Sequence, residues 1–249
     1  MRPSRTGEIR LAFMLLSRLP AGRIEGEAPA MAASSWAWPL VGVAVGAIMA
    51  LVCGAGLWLG LPPLMAALLT LAAGALATGA MHEDGLADLA DGFGGGRDRA
   101  RKLEIMRDSR VGSYGVVALA LALAFRAIGI STLAETGSAT AALIGIAAAS
   151  RAVLPAALVL MPAARADGLG RSAAGADPKP ALIAAGIGFL CLLPLGFGTA
   201  VVAGAAMALA ATLLAGLALR QIGGQTGDVM GAMQQVAEIA GWAVLAASV

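Results

Sequence analysis

The chain is short of charge: of 249 residues only 13% are Asp, Glu, Lys or Arg, and the net charge is only +2. This excludes an ordinary soluble domain and leaves no basic patch large enough to neutralise a nucleic-acid backbone, so no nucleic acid is expected as a partner. Histidine is scarcer still. The single residue, His82, excludes a zinc site of the H-E-x-x-H kind. The only cysteines, Cys53 and Cys191, both lie in apolar runs and are read as buried thiols rather than a disulfide or a metal pair. What is abundant is apolar: 59% hydrophobic residues, 34 glycines besides, and a mean hydropathy of +0.84. That is the composition of an integral membrane protein.

Spanning a bilayer takes about 20 mostly apolar residues. Seven stretches qualify: Leu40–Leu61, Leu64–Met81, Tyr114–Leu133, Ala139–Met161, Ala181–Phe197, Ala200–Leu219 and Val229–Val249. The last is the weakest, because Gln234, Gln235 and Glu238 interrupt its first half. Ala181–Leu219 is one continuous apolar run of a length no single crossing needs, and it is divided at Pro194–Gly198. Ahead of the spans, Glu8–Leu19 is too short to cross and reads as an amphipathic helix at the membrane surface; Arg23–Ala33 reads as a loop. The expected fold is an all-α, polytopic membrane bundle of about seven transmembrane helices plus an N-terminal interfacial helix. It forms a single domain over 1–249, because no gap is long enough for a soluble domain. Abundant Gly and Ala allow the helices to pack closely in lipid.

Fifteen of the seventeen bases fall on one side of this arrangement: five before the first span, six in the loop 82–113, three in the loop 162–180, and Arg220. By the positive-inside rule that side, with the N-terminus and the acidic loop, is expected to be cytoplasmic. The remaining two, Arg126 and Arg151, lie inside spans. There they line a polar cavity or pair with another group, and Glu238 is the available partner.

Polar chemistry is concentrated between Met81 and Gly115, which holds seven of the fifteen acids and the only histidine. Asp84, Asp88 and Asp91 recur at i, i+4 and i+7, within an arc of roughly 60° on one helical face. Carboxylates that close repel one another unless a cation lies between them, and hard oxygen ligands suit Mg²⁺ or Mn²⁺ completed by water and phosphate. A solvated helix end is the alternative. If the helix continues unbroken from the preceding span, His82 points roughly opposite to the Asp face. The run Gly92-Phe93-Gly94-Gly95-Gly96 is expected to break the helix and lead into Asp98–Ser109, where Ala100, Leu103 and Met106 form an apolar stripe beside Arg99, Arg101, Lys102, Arg107 and Arg110. That segment suits either a surface helix on anionic lipid or a diphosphate held by glycine backbone and arginine forks. A second glycine-rich loop, Gly223-Gly224-Gln225-Thr226-Gly227-Asp228, falls on the same side. Its Asp228 is a candidate to complete the metal site, and its backbone N–H groups to meet an anion.

Three of these motifs resemble the cobalamin synthase family in order and spacing. They are His82-Glu83-Asp84-Gly85-Leu86-Ala87-Asp88 with Asp91-Gly92, then Glu104-Ile105-Met106-Arg107-Asp108-Ser109-Arg110 with Gly112, then Gly223 to Asp228. Ser17-Arg18-Leu19-Pro20 and Ser150-Arg151 add to the likeness, while Glu83 departs from the apolar residue, and Leu89 from the Thr, that many members carry. The resemblance implies a multi-pass enzyme of the bacterial inner membrane, its site facing the cytoplasm. That enzyme joins adenosylcobinamide-GDP to α-ribazole or its 5′-phosphate, releases GMP and uses Mg²⁺. It implies Asp84, Asp88, His82 and Arg110 as catalytic residues and Arg107, Ser109, Arg151, Gly224, Gln225 and Thr226 as substrate-binding ones. The implied metal ligands are Asp84, Asp88, Asp91 and Asp228. Membrane lipid surrounds the chain, and a homo-oligomer is left open. Three alternatives remain. CDP-alcohol phosphotransferases and UbiA-like prenyltransferases space their Asp repeats differently, and a transporter would account for the charges within spans.

Overall fold

In the computed structural model, which describes residues 4–165 and 177–249, the chain is a bundle of α-helices with no β-strand among the described residues. The predicted loop base Arg171 lies outside the described residues. α1 (Arg5–Leu16) and α2 (Met31–Ser34) precede α3 (Trp38–Trp58), α4 (Pro63–Thr78), α5 (Met81–Gly95) and α6 (Arg99–Ile105). Then come α7 (Ser113–Glu135), α8 (Ala139–Ala152), α9 (Leu154–Leu160), α10 (Lys179–Leu192), α11 (Phe197–Ile222) and α12 (Gly227–Ala246).

Four helical segments are long and apolar enough to cross a membrane: Met31–Trp58, Ser113–Glu135, Ala139–Leu160 and Phe197–Ile222. The count of seven is not reproduced. α4 reaches the required length only together with α5, and the two are bent by 92° at their junction. α10 with its 3₁₀ extension, Lys179–Leu195, is shorter, and α12 carries Gln234, Gln235 and Glu238, all buried. The expected division of the long apolar run holds: Leu193–Leu195 form the 3₁₀ turn and Gly196 takes a left-handed φ of 97° before α11 begins. α1 packs on the bundle through its buried Ala12 and Leu16, and its Glu8 is buried too, accepting from Trp36 Nε1 at 2.6 Å and pairing with Arg5 at 2.9 Å.

Close approach between backbones sets the packing. A methyl group at Gly42 would lie 2.2 Å from the Ala147 carbonyl oxygen, and one at Gly46 would lie 2.7 Å from the Leu143 oxygen, so α3 and α8 touch where side chains are absent. The bend after α4 has a local cause. Gly79 (φ 70°) and Ala80 (φ 57°) are both left-handed, and Arg18 packs so tightly on Gly79 that a side chain there would collide with its guanidinium. Arg18 N–H also donates to the Ala77 carbonyl at 2.8 Å, tying the segment after α1 to the end of α4. α5 is therefore not a straight continuation of the preceding span. The glycine run does end it, but late: α5 stays helical through Gly92 and Gly94 to Gly95, and Gly96 is its extended cap. The glycines make room for neighbours: side chains at Gly92 and Gly94 would run into Met106 and the Tyr114 ring.

Candidate active site

α5 and α12 cross at glycines. A methyl at Gly85 would lie 2.9 Å from the Asp228 carbonyl oxygen, and one at Gly231 would lie 3.2 Å from His82 Cα. This contact sets Asp84 and Asp88, on the more open side of α5, beside Asp228 in the first turn of α12. The two acidic motifs, more than 130 residues apart in sequence, meet here. Burial pushes the Asp88 carboxyl up to about 6, with the charges of Asp84, Asp228 and Asp91 adding to it and Arg165 opposing. Burial also raises Asp228, against the pull of Arg165, whose Nη2 lies 3.3 Å from Asp228 Oδ2. Thr226 caps α12, accepting from Val229 N–H at 3.2 Å, and its hydroxyl donates to Asp228 at 3.2 Å.

Asp91 does different work from its two neighbours. It is buried, and its two oxygens accept the backbone N–H groups of Gly112 (2.7 Å) and Gly115 (2.9 Å) at the start of α7. An α-helix begins with unsatisfied N–H donors, and a carboxylate from another helix meets two of them here. Both Asp91 oxygens are thus engaged in capping α7, which sets it apart from Asp84 and Asp88 in the expected metal set. Asp91→Asn is expected to lower stability by about 1 kcal/mol, the scale of a lost helix cap, and to leave the divalent-ion requirement unchanged; detergent-phase melting and a Mg²⁺ titration of turnover check the two parts.

His82 lies off the Asp face, as the helical phase predicts: it is buried and faces a small cavity of about 10 Å³ that also meets Glu83, Arg126, Arg151, Gln234, Gln235 and Glu238. Arg126 pairs with Glu83 at 3.0 Å and Glu238 at 2.8 Å, and donates to Gln235 at 2.8 Å. Arg151 lies 3.9 Å from Glu238 and donates to the Ala147 carbonyl at 2.9 Å. Gln234 bridges Ser150 (3.0 Å) and Glu238 (2.6 Å). Both intramembrane arginines thus meet Glu238, and the structure places Arg151 in this closed network rather than at an open surface. Glu83, whose departure from the family pattern left it without a role, is the residue that ties α5 into it.

Arg110 is exposed and forks onto Asp108, with Nη2 to Oδ2 at 2.7 Å; this pair holds Asp108 down to about 2. Ser109 is exposed next to it. Arg107 stands apart from them, on the wall of an open pocket with Arg99 and Arg165. The second glycine loop is clasped rather than open. Gln225 N–H donates to the Pro162 carbonyl at 2.8 Å, Ala164 N–H to the Gln225 carbonyl at 2.9 Å, and Gly224 leaves no room for a side chain against Pro162. Gln225 and Thr226 are both buried. Sequence reasoning had counted Arg165 only as one of the loop bases. Nothing in its local sequence shows that the Pro162–Gln225 clasp carries it to Asp228.

Apolar helices around an acidic cluster set where two helices cross define an all-α integral membrane protein with a polar site. The chain belongs to the cobalamin synthase family: the family model described as CobS, cobalamin-5-phosphate synthase, matches residues 8–246. It is similar to the adenosylcobinamide-GDP ribazoletransferase of Bradyrhizobium diazoefficiens, 49% identical over 93% of this chain and 90% of the relative. Those of Mesorhizobium japonicum (46%, 94% of this chain and 90% of the relative) and Azorhizobium caulinodans (44%, 96% of each) bear the same name. No solved structure matches. With that membership the chain is a transferase of cobalamin synthesis.

Proposed function

We propose that the chain joins adenosylcobinamide-GDP to α-ribazole, or its 5′-phosphate, with release of GMP, at the cytoplasmic face of a bacterial inner membrane. The observation that supports it best is the meeting of Asp84 and Asp88 with Asp228 and Arg165, drawn from three separated parts of the chain. A diphosphate ester is what such a mixed site suits: carboxylates for a hard cation, and a guanidinium for phosphate oxygen.

Among the described residues no three His, Cys, Asp or Glu side chains form a ready-made metal cage. Mg²⁺ does not require one, since it is commonly held by one or two carboxylates together with water and substrate phosphate. The hard oxygen donors of Asp84, Asp88 and Asp228, and the neighbouring carboxylate charges that add to burial in raising Asp88, fit that ion. When bound, Mg²⁺ would neutralise charge on the diphosphate. The chain's own part is to place the ester and the incoming alcohol together. A ribose hydroxyl oxygen bonds to the phosphorus attached to cobinamide, the P–O bond to GMP breaks, and the hydroxyl proton is lost. Positioning and fixed charge carry such a transfer.

The raised Asp88 gives a pH dependence with a definite sign. In the metal-free fold it binds a proton between its unfolded value near 4 and about 6, so stability conferred by that proton is present at low pH and lost as pH rises through 6. Proton and metal then compete. The Mg²⁺ concentration for half-maximal turnover is expected to be nearly flat from pH 7 to 8 and to rise about tenfold per unit below 6. A requirement independent of pH down to 5 would remove Asp88 from the metal site. The transferase reading itself is tested in detergent, where covalent product should form from the two substrates; a transporter would show flux in sealed vesicles and no product.

A further inference from the structure

Two segments reach the acidic cluster from far along the chain, residues 162–165 after α9 and the glycine loop before α12. They meet as a clasp, in which Ala163 and Gln225 form a single parallel bridge, with Gln225 N–H on the Pro162 carbonyl and Ala164 N–H on the Gln225 carbonyl. Arg165 follows the clasp on one strand and Asp228 on the other. Two backbone hydrogen bonds are a small hold on the two carriers of a charged site. A third segment adds to it. Arg99, at the start of α6, donates from Nη2 to the Ala164 carbonyl at 2.6 Å and from Nε to the Ile222 carbonyl at 2.7 Å.

Ile222 ends α11, where helical carbonyls lack partners within the helix and the dipole favours a cation. Ala164 immediately precedes Arg165, whose Nη2 lies 3.3 Å from Asp228 Oδ2 and 3.4 Å from the Leu103 carbonyl of α6. One planar fork therefore fixes both sides of the clasp, and its donors keep their direction as an ammonium's would not. One turn on, Lys102 is buried and donates to Gln221, so the same face of α6 holds the last turn of α11 twice. α6 is itself anchored. Asp98 caps its start, accepting from Arg101 N–H at 2.9 Å, and Met106 at its end packs on Gly92 of α5 with no room for a side chain between them. Since α5 carries Asp84 and Asp88, α6 ties the helix bearing those two carboxylates to the segments bearing Arg165 and Asp228. We infer that Arg99 is a positioning residue of the transfer site: its fork holds Ala164 and Ile222, and through them sets Arg165 and Asp228 against Asp84 and Asp88. The inference rests on the transferase reading above and adds to it what keeps the separated parts of the site in register.

The test uses the full chain in phosphatidylcholine nanodiscs and reads Mn²⁺ affinity by electron paramagnetic resonance without substrate, then kcat for transfer. Arg99→Gln should weaken Mn²⁺ and lower kcat by about 10–100-fold each, the range for groups that orient a metal site from behind its ligands. Arg97→Gln, which removes the same charge from an exposed residue just before α6, should change neither. Arg99→Lys, with one nitrogen in place of a fork, should fall between wild type and Arg99→Gln, and it carries the test if Arg99→Gln does not fold. Arg99→Gln with Arg165→Gln in one chain should be little slower than the slower single variant, because the first acts through the second. An Arg99→Gln chain that melts lower but keeps wild-type Mn²⁺ affinity and kcat would overturn the inference, as would additive losses in the double variant or equal losses in Arg97→Gln. Joined product from the wild type, with Mn²⁺ affinity and kcat indifferent to Arg99, sinks the positioning role alone. Mn²⁺ affinity that depends on Arg99 in a wild-type chain forming no joined product sinks the transferase reading alone.

Discussion

Asp84→Asn and Asp228→Asn should each lower transfer by about 10²–10³-fold while leaving folded, membrane-inserted protein, the scale of removing one group that stabilises charge in a transition state. Asp228 is reached only because Gly85 and Gly231 let α5 and α12 cross at their backbones, so the two residues serve one site despite their distance in sequence. Residues that act as a unit are not additive. The double variant should therefore be little slower than the slower single one, and Mn²⁺, similarly hard but more tolerant in geometry, should restore part of either loss. Initial rates with purified variants check this. Additive losses in the double variant would mean two independent sites.

Arg126→Met should be strongly destabilising, at about 3–5 kcal/mol, because it leaves Glu83 buried without its counter-charge and Glu238 with only Arg151, 3.9 Å away. The penalty belongs to the unpaired charges rather than to the loss of attraction. Glu83→Gln with Arg126→Met in one chain should recover most of it, since a neutral amide at 83 still meets Gln235 and Glu238 keeps Arg151 as its counter-charge. Because Glu83 adjoins Asp84, the single variant should also lose turnover through a displaced α5. Melting in detergent of the single and double variants measures the first effect. A single variant as stable as the wild type would reduce the network to a bystander.

How far the sequence revealed this architecture depended on the range of the interaction. Helices, the break before Gly196, the acidic face of α5 and the phase of His82 off that face follow from local periodicity and composition, and all were legible. The role of Asp91 was not, because it caps a helix that begins 22 residues later and nothing in its own spacing separates it from Asp88. The glycines at the end of α5 were legible only in part, since the helix does end among them, at Gly95. Read alone they are helix breakers, but in the fold they admit Met106 and Tyr114, and tertiary packing outweighs propensity. Arg165 and Glu83 became informative only through partners 63 and 43 residues away. The bend at Gly79 and Ala80 was hidden too, because a left-handed Ala is not signalled by its neighbours and depends on Arg18 from another segment.

The most direct test of the central claim, that one polar site performs a diphosphate-cleaving transfer, is GMP release from adenosylcobinamide-GDP by the purified chain, with α-ribazole and Mg²⁺ each supplied or withheld. The account predicts GMP only when both are present, in amounts equal to the joined product formed. GMP released at the same rate without α-ribazole would show hydrolysis rather than transfer, and release unaffected by removing divalent ions would contradict the role given to Asp84, Asp88 and Asp228.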